Sequence, residues 1–241
     1  MEKLMVNSDN SNMKGLYRVG GVSAIVLSMS YIIITVLYVL GGALPDGGEE
    51  WLKHLAKHTL EWRAILGFSV LTDFLFIFVA WSLYIALKKI NKNAMLTGIG
   101  FLGLFVVLDL AVTWPNYASL INLSGKYVAA INDTERMTFV AAADYAFGVL
   151  SSRLFAVYAI LVPALGILII GLVMLKATFS KVTAYLGMVT GILGIISVVG
   201  PLFIAALGMT VIITSILTTV WVLLVGFKLI RLSQLSTISE S

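Results

Sequence analysis

Long uninterrupted apolar runs, separated by short polar stretches, dominate the pattern of this chain. Six of them read as membrane spans, at about 21–44, 64–87, 94–114, 154–175, 183–205 and 208–230. Each run holds about 20 residues or more, enough to cross about 30 Å of hydrocarbon at about 1.5 Å of helical rise per residue. The alternation with a period of two that marks barrel strands is absent. The fold class expected is therefore all-α: a polytopic membrane protein, with its transmembrane domain over 21–230 built as a six-helix bundle.

The polar stretches fill in the rest. Residues 1–20 read as a cytoplasmic N-terminal tail and 231–241 as a cytoplasmic C-terminal tail. The first apolar run follows Lys14 and Arg18, as a signal peptide would, but exceeds the usual h-region of about 7–15 residues and is read as an uncleaved helix. Pro45-Asp46-Gly47-Gly48 breaks the chain before an amphipathic helix over Glu49–Arg63. That helix carries Trp51, Leu55 and Trp62 on one side, a spacing suited to the headgroup boundary. Pro115 is expected to stop the third span. The connection from there to Leu150 predicts two helices lying on one membrane face, with Asn132-Asp133-Thr134 as the break and N-cap between them. Together these helices form an amphipathic cap on the extracytoplasmic side.

Charge sets the orientation. One face holds ten bases, Lys3, Lys14, Arg18, Lys88, Lys89, Lys92, Lys176, Lys181, Lys228 and Arg231, against Glu2, Asp9 and Glu240. The other holds six bases, Lys53, Lys57, Arg63, Lys126, Arg136 and Arg153, among seven acids. By the positive-inside rule both termini are expected in the cytoplasm of a cell whose plasma membrane the chain crosses. With 60% hydrophobic and 12% charged residues, against about 25% charged in a soluble domain, the net charge of +4 belongs to these loops. It is no footprint for nucleic acid, and the expected partner is the lipid bilayer. The chain has no cysteine, so disulfides, thiolate metal sites and cysteine nucleophiles are excluded.

Two carboxylates break the apolar runs, Asp73 in the second and Asp109 in the third. A charged side chain within a span is costly and marks a candidate site. Counted from the cap side, Asp73 lies about 14 Å deep and Asp109 about 7–8 Å deep, on antiparallel neighbours. Arg153, Thr113, Asn116 and Tyr117 are placed to join them, with Asp144 at the same level. Two readings stand for Asp109: a polar pocket that binds a cation, a proton or a headgroup, or an ion pair with Arg153 that pins the third span to the fourth. Asp73, deeper and with no base beside it in sequence, points towards a site.

Weaker signals surround this pair. Glu50, His54, His58 and Glu61 fall on one face of an ideal helix and could hold a divalent metal, although Lys53 and Lys57 oppose one and His-Glu-x-x-His is absent. A solvated face of an interfacial helix is the favoured reading. Thr210, Thr214 and Thr218 form a stripe whose hydroxyls are expected to bond their own helix. Gly98, Gly100 and Gly103, with Gly187, Gly191 and Gly194, suit close helix contact and make a homodimer an expectation. The echo of Gly100-Phe101-Leu102-Gly103 in Gly191-Ile192-Leu193-Gly194 raises a duplicated hairpin. Trp81, Trp114 and Trp221 read as interface anchors. Asn122-Leu123-Ser124 and Asn132-Asp133-Thr134 match the glycosylation sequon. Neither histidine lies in a span and no nucleotide-binding or serine-nucleophile motif occurs, which argues against most intramembrane hydrolases; an enzyme using the carboxylates or the histidine face with a metal is the lesser expectation, and the cofactor is left open.

The segments Thr113-Trp114-Pro115-Asn116-Tyr117-Ala118 and Ser151-Ser152-Arg153, with the runs Gly166–Lys176 and Tyr185–Pro201, resemble small six-span prokaryotic membrane proteins grouped as a domain-of-unknown-function family. The resemblance implies the topology and a prokaryotic host, where the sequons carry no meaning. It implies no activity. The functional expectation is binding or transport of a small solute or lipid at an outward-facing site. The alternative is a structural or regulatory subunit that docks a partner through its cap.

Overall fold

Helices account for nearly all of the computed structural model, which describes residues 2–177 and 179–238, with side chains over 13–177 and 179–234. In chain order they are α1 (Glu2–Gly41), α2 (Gly48–Lys57), α3 (Thr59–Leu87), α4 (Lys92–Leu108), α5 (Trp114–Ala129), α6 (Asp133–Leu150), α7 (Arg153–Ala156), α8 (Val162–Met174), α9 (Lys181–Val199) and α10 (Thr210–Ile238). Six helical stretches are long and apolar enough to cross a membrane: Met13–Gly41, Thr59–Leu87, Lys92–Ala129, Arg153–Met174, Lys181–Leu202 and Ala205–Gln234. This is a six-span membrane protein, and its even number of spans returns both ends of the bundle to one side.

The spans form a closed ring in sequence order. α1 lies against α3, α3 against α4, α4 against α8, α8 against α9, α9 against α10, and α10 returns to α1. At the terminus side the middle of the ring is filled by Leu83, Leu87, Met95, Ile170, Met174, Trp221, Val225 and Leu229. Glycines set how closely neighbours approach. A Cβ on Gly166 would lie 2.8 Å from the Gly98 carbonyl oxygen, and one on Gly187 would lie 2.6 Å from Nε1 of Trp221. Gly100 and Gly103 meet nothing within 4 Å, so the two glycine echoes occupy opposite environments and the packing role expected of this pair does not hold within the chain.

The third span departs from expectation. The helix does not stop at Pro115 but runs from Lys92 to Ala129 through a π turn at Asp109–Thr113. A proline in a helix clashes with the carbonyl four residues earlier, here Ala111, and the wider π turn moves that carbonyl aside. The fourth span repeats the device, with a π turn at Val157–Leu161 ahead of Pro163. In the fifth span, Pro201 falls in a final 3₁₀ turn, Gly200–Leu202, and helps close the helix. Polar residues at the start of the chain also proved helical in backbone, because extending a nucleated helix costs little. The end of the C-terminal tail, 239–241, lies outside the described residues.

α2, the outer turns of α5, and α6 form the cap. Asn132 Oδ1 accepts from the Glu135 amide at 2.8 Å and Glu135 returns a carboxylate to the Ile131 amide, the N-cap expected from sequence. Gly48 opens α2 by donating its amide to Asp144 on α6 at 2.8 Å. The amphipathic helix of the first loop divides at His58, whose backbone (φ −121°, ψ 35°) leaves the helical region and separates α2 from α3. Trp51 and Trp62 do not present their rings to headgroups. They are 4% and 3% exposed, edge to face at 5.0 Å, inside a second core with Leu52, Leu55, Ile65, Leu120 and Ala143.

Burial keeps the imidazole of His54 below its usual range, helped by the neighbouring His58 and Lys57 charges. The sign follows from linkage. The unfolded chain binds the proton more readily, so the cap is most stable above about pH 6.5 and loses stability as pH falls through that value towards the lower folded one. Thermal unfolding of the cap is expected to soften from about pH 7.5 to about pH 5, and His54→Gln should flatten the dependence.

Candidate functional site

Asp73 and Asp109 face one cavity. It has a volume of about 740 Å³ and takes its lining from all six spans, including Tyr31, Asp73, Asp109, Pro163, Thr190 and Thr214. The two carboxylates are 2% and 6% exposed. Asp73 lies fourteen residues from either end of Thr59–Leu87, halfway along its helix. Asp109 follows the seventeen residues of Lys92–Leu108 and opens the π turn of the third span. The antiparallel turn between Leu87 and Lys92 then brings the two acids to similar depth.

Their partners differ from those expected. Trp114, read from sequence as a membrane anchor, donates its indole Nε1–H to Asp73 Oδ2 at 2.6 Å. Asp109 Oδ1 is buried with no hydrogen-bond partner among the described residues. Arg153 does not pair with it: its side chain is exposed, and among the described residues no ion pair joins the third and fourth spans. The arginine falls on the far side of the π turn at Val157–Leu161, at the start of α7. The two spans are joined instead by Thr113 and Tyr158, whose hydroxyls lie 3.1 Å apart and tie one π turn to the other. Asn116 donates to the Val112 carbonyl of its own helix at 2.8 Å. Asp144 is engaged with Gly48 in the cap.

Tyr117 lines the cavity and carries it into the cap. Its ring stacks on Trp62 with centroids 5.5 Å apart and lies 5.9 Å from both Trp51 and Trp114. Tyr38 meets Trp62 edge-on at 5.3 Å. An aromatic column thus links the cap core to the indole that holds Asp73. Tyr31, Tyr38 and Tyr158 escaped notice in the sequence because tyrosine within an apolar run carries no positional signal. The one sequence signal for Trp114 is its place beside Pro115, which marks a span end only if the helix stops there.

The remaining candidates sort clearly. Glu50, His54, His58 and Glu61 do not gather: the break at His58 dissolves their common face, Glu50 engages Lys53, and the described residues hold no group of three or more His, Asp or Glu able to hold a metal. The His54 and His58 rings lie 4.9 Å apart, with Glu61 3.8 Å from His58. Thr214 and Thr218 bond the carbonyls of Thr210 and Thr214, as expected, and also line the cavity. Trp81 is 54% exposed, as an anchor should be, whereas Trp221 is 1% exposed in the bundle core against Gly187 and is no anchor.

A mostly apolar chamber with one carboxylate bonded to Trp114 and another whose Oδ1 has no partner among the described residues can hold a ligand that brings a hydrogen-bond donor or a positive charge into the bilayer. Neither the curated proteins nor the solved structures contain a match to the chain. A family model does match, over residues 19–231, which includes every span and both carboxylates. The chain belongs to that family, described as a domain of unknown function, DUF4386.

Proposed function

We propose that this protein binds, and by binding carries or senses, a small ligand in the cavity between its spans, with Asp73 and Asp109 as the recognising groups. The observation that carries this reading is Asp109 Oδ1, enclosed and without a partner in a chamber of about 740 Å³. A buried acceptor left unsatisfied costs about 1–3 kcal/mol, and more for a charged group. A ligand donor aimed at it recovers that cost. The proposed orientation places both termini in the cytoplasm and the cap outside the plasma membrane, supported by the ten bases against six on the two faces.

The test is thermal stability of the purified protein against a panel of cations, amines, sugars and lipids. A ligand at about 100 times its Kd adds about 2.7 kcal/mol to the native state. Asp109→Asn is expected to melt no lower than wild type, since it replaces a buried carboxyl group whose Oδ1 has no partner among the described residues, and to lose the ligand-induced shift. An Asp109→Asn variant that unfolds readily and still responds to the same ligand would place recognition elsewhere.

The docking alternative draws on the cap surface, where Val128, Ile131, Met137 and Tyr145 are 65%, 90%, 63% and 75% exposed. It no longer draws on Trp51, which is internal.

A further inference from the structure

The cavity is walled by helices that separate on one side. α1 and α10 are in close contact at the terminus side, where a Cβ on Gly21 would lie 2.9 Å from the Ile230 amide nitrogen and 3.0 Å from the Gly226 carbonyl oxygen. The last hydrogen bond between them runs from Ser28 Oγ to the Thr219 carbonyl at 3.3 Å. Further towards the cap, Ile32, Thr35 and Val36 on α1 and Ile212, Ser215 and Ile216 on α10 all border the cavity and are all exposed at the surface. Val36 is 51% and Ile216 57% exposed. These positions lie within membrane spans, so what they face is lipid. The chamber therefore opens sideways into the cap-side leaflet, through a mouth of isoleucine and valine dotted with the hydroxyls of Thr35 and Ser215.

The chemistry inside selects the occupant. Among the described residues that line the cavity there are two carboxylates and no Lys, Arg or His, which repels an anionic head such as a phosphate. Aromatic rings stand near the acids: Trp114 bonded to Asp73, with Tyr31, Tyr38, Phe105 and Tyr117 in the same wall. Faces of such rings attract organic cations, most strongly where water is excluded. The remaining walls are hydrocarbon, which a small inorganic cation would leave unsolvated at high cost. An apolar mouth, an aromatic chamber and an uncompensated carboxylate at its depth fit one kind of molecule.

We propose that the ligand is a lipophilic organic cation, an ammonium-like centre on an apolar body, and that it enters from the cap-side leaflet between α1 and α10. This rests on the cavity being the functional site. The apolar body partitions into lipid, passes Val36 and Ile216, and brings its charge to Asp109, with Asp73 held ready by Trp114.

Tetraphenylphosphonium and tetraphenylborate test this, because they share shape and differ in the sign of charge. The full chain is placed in nanodiscs of zwitterionic phosphatidylcholine, and binding is followed at equilibrium and by stopped-flow tryptophan fluorescence. Tetraphenylphosphonium is expected to bind saturably and tetraphenylborate not at all. Asp109→Asn is expected to weaken binding roughly tenfold or more, equivalent to about 1.4 kcal/mol per tenfold. Should that variant not fold, Asp73→Asn gives the same reading. Thr35→Trp, which narrows the mouth, is expected to slow entry and exit alike by roughly tenfold.

Binding of the borate in preference to the phosphonium would overturn the cation class. Neither probe binding, while a neutral or zwitterionic compound shifts wild type and not Asp109→Asn, would overturn the class and leave the cavity reading standing. No compound of any charge doing so would bring down both. Unchanged rates in Thr35→Trp would overturn sideways entry.

Discussion

Trp62→Ala is expected to cost about 3–5 kcal/mol, as for other fully buried aromatic truncations. The indole is 3% exposed and is touched by rings from three other elements. Tyr38 of α1 meets it at 5.3 Å, Trp51 of α2 at 5.0 Å and Tyr117 of α5 at 5.5 Å. Removing it leaves a hole where the cap rests on the bundle. The variant should show a lower first unfolding transition and faster proteolysis at the α5–α6 connection, Ala130–Asn132. Cleavage there at the wild-type rate would mean that the cap is held by other contacts. Because Tyr117 also lines the cavity, ligand affinity should fall as well, although Trp62 does not line it.

Gly191→Val is the second large effect. A Cβ at this position would lie 2.6 Å from Leu168 Cβ, 2.7 Å from the Ala164 carbonyl oxygen and 2.9 Å from Leu168 Cα. Two of these three atoms are backbone and the third, a Cβ, is fixed to it, so relief requires α8 and α9 to separate. Overpacking of a filled interior costs about 1–3 kcal/mol where side chains can yield, and more where they cannot. In a bilayer these helices are held chiefly by the closeness that small residues permit, so the loss falls on association itself. The expected outcome is a protein that inserts but migrates as a broad, aggregated species in mild detergent. Gly103→Ala is the matched control: nothing lies within 4 Å of its Cβ, and the change should be neutral or gain a few tenths of a kcal/mol from helix propensity. A compact, wild-type-like Gly191→Val would show that the two helices tolerate a wider spacing.

The contrast between these glycines illustrates where sequence reasoning runs out. Gly100 and Gly103 look the same in sequence as Gly191 and Gly194, each pair set in apolar text after a short basic turn. One pair faces outward and the other is wedged against α8. Rotation of a helix about its axis decides this, and a helix that is apolar all round carries no periodic signal to fix that rotation. The same limit hid the tyrosines of the cavity. Surface charge was more legible, since Asn132 was recognisable as a cap from its spacing to Glu135 and performs that role.

The sequence by itself determined the class, the number of spans, the presence of a helical cap and the two acids that break the apolar runs. It could do so because hydrocarbon imposes length and apolarity on each helix separately, without reference to its neighbours. Only the tertiary structure decided what those acids meet. It carried the third helix through Pro115, because a π turn can remove a clash that a regular helix cannot. That continuation gave Trp114 to Asp73, and both acids line the same chamber. It exposed Arg153, leaving Asp109 without the base that sequence had set beside it. Side-chain pairing across helices depends on ring order, axial rotation and depth together, and those are fixed by contacts between segments far apart in the chain.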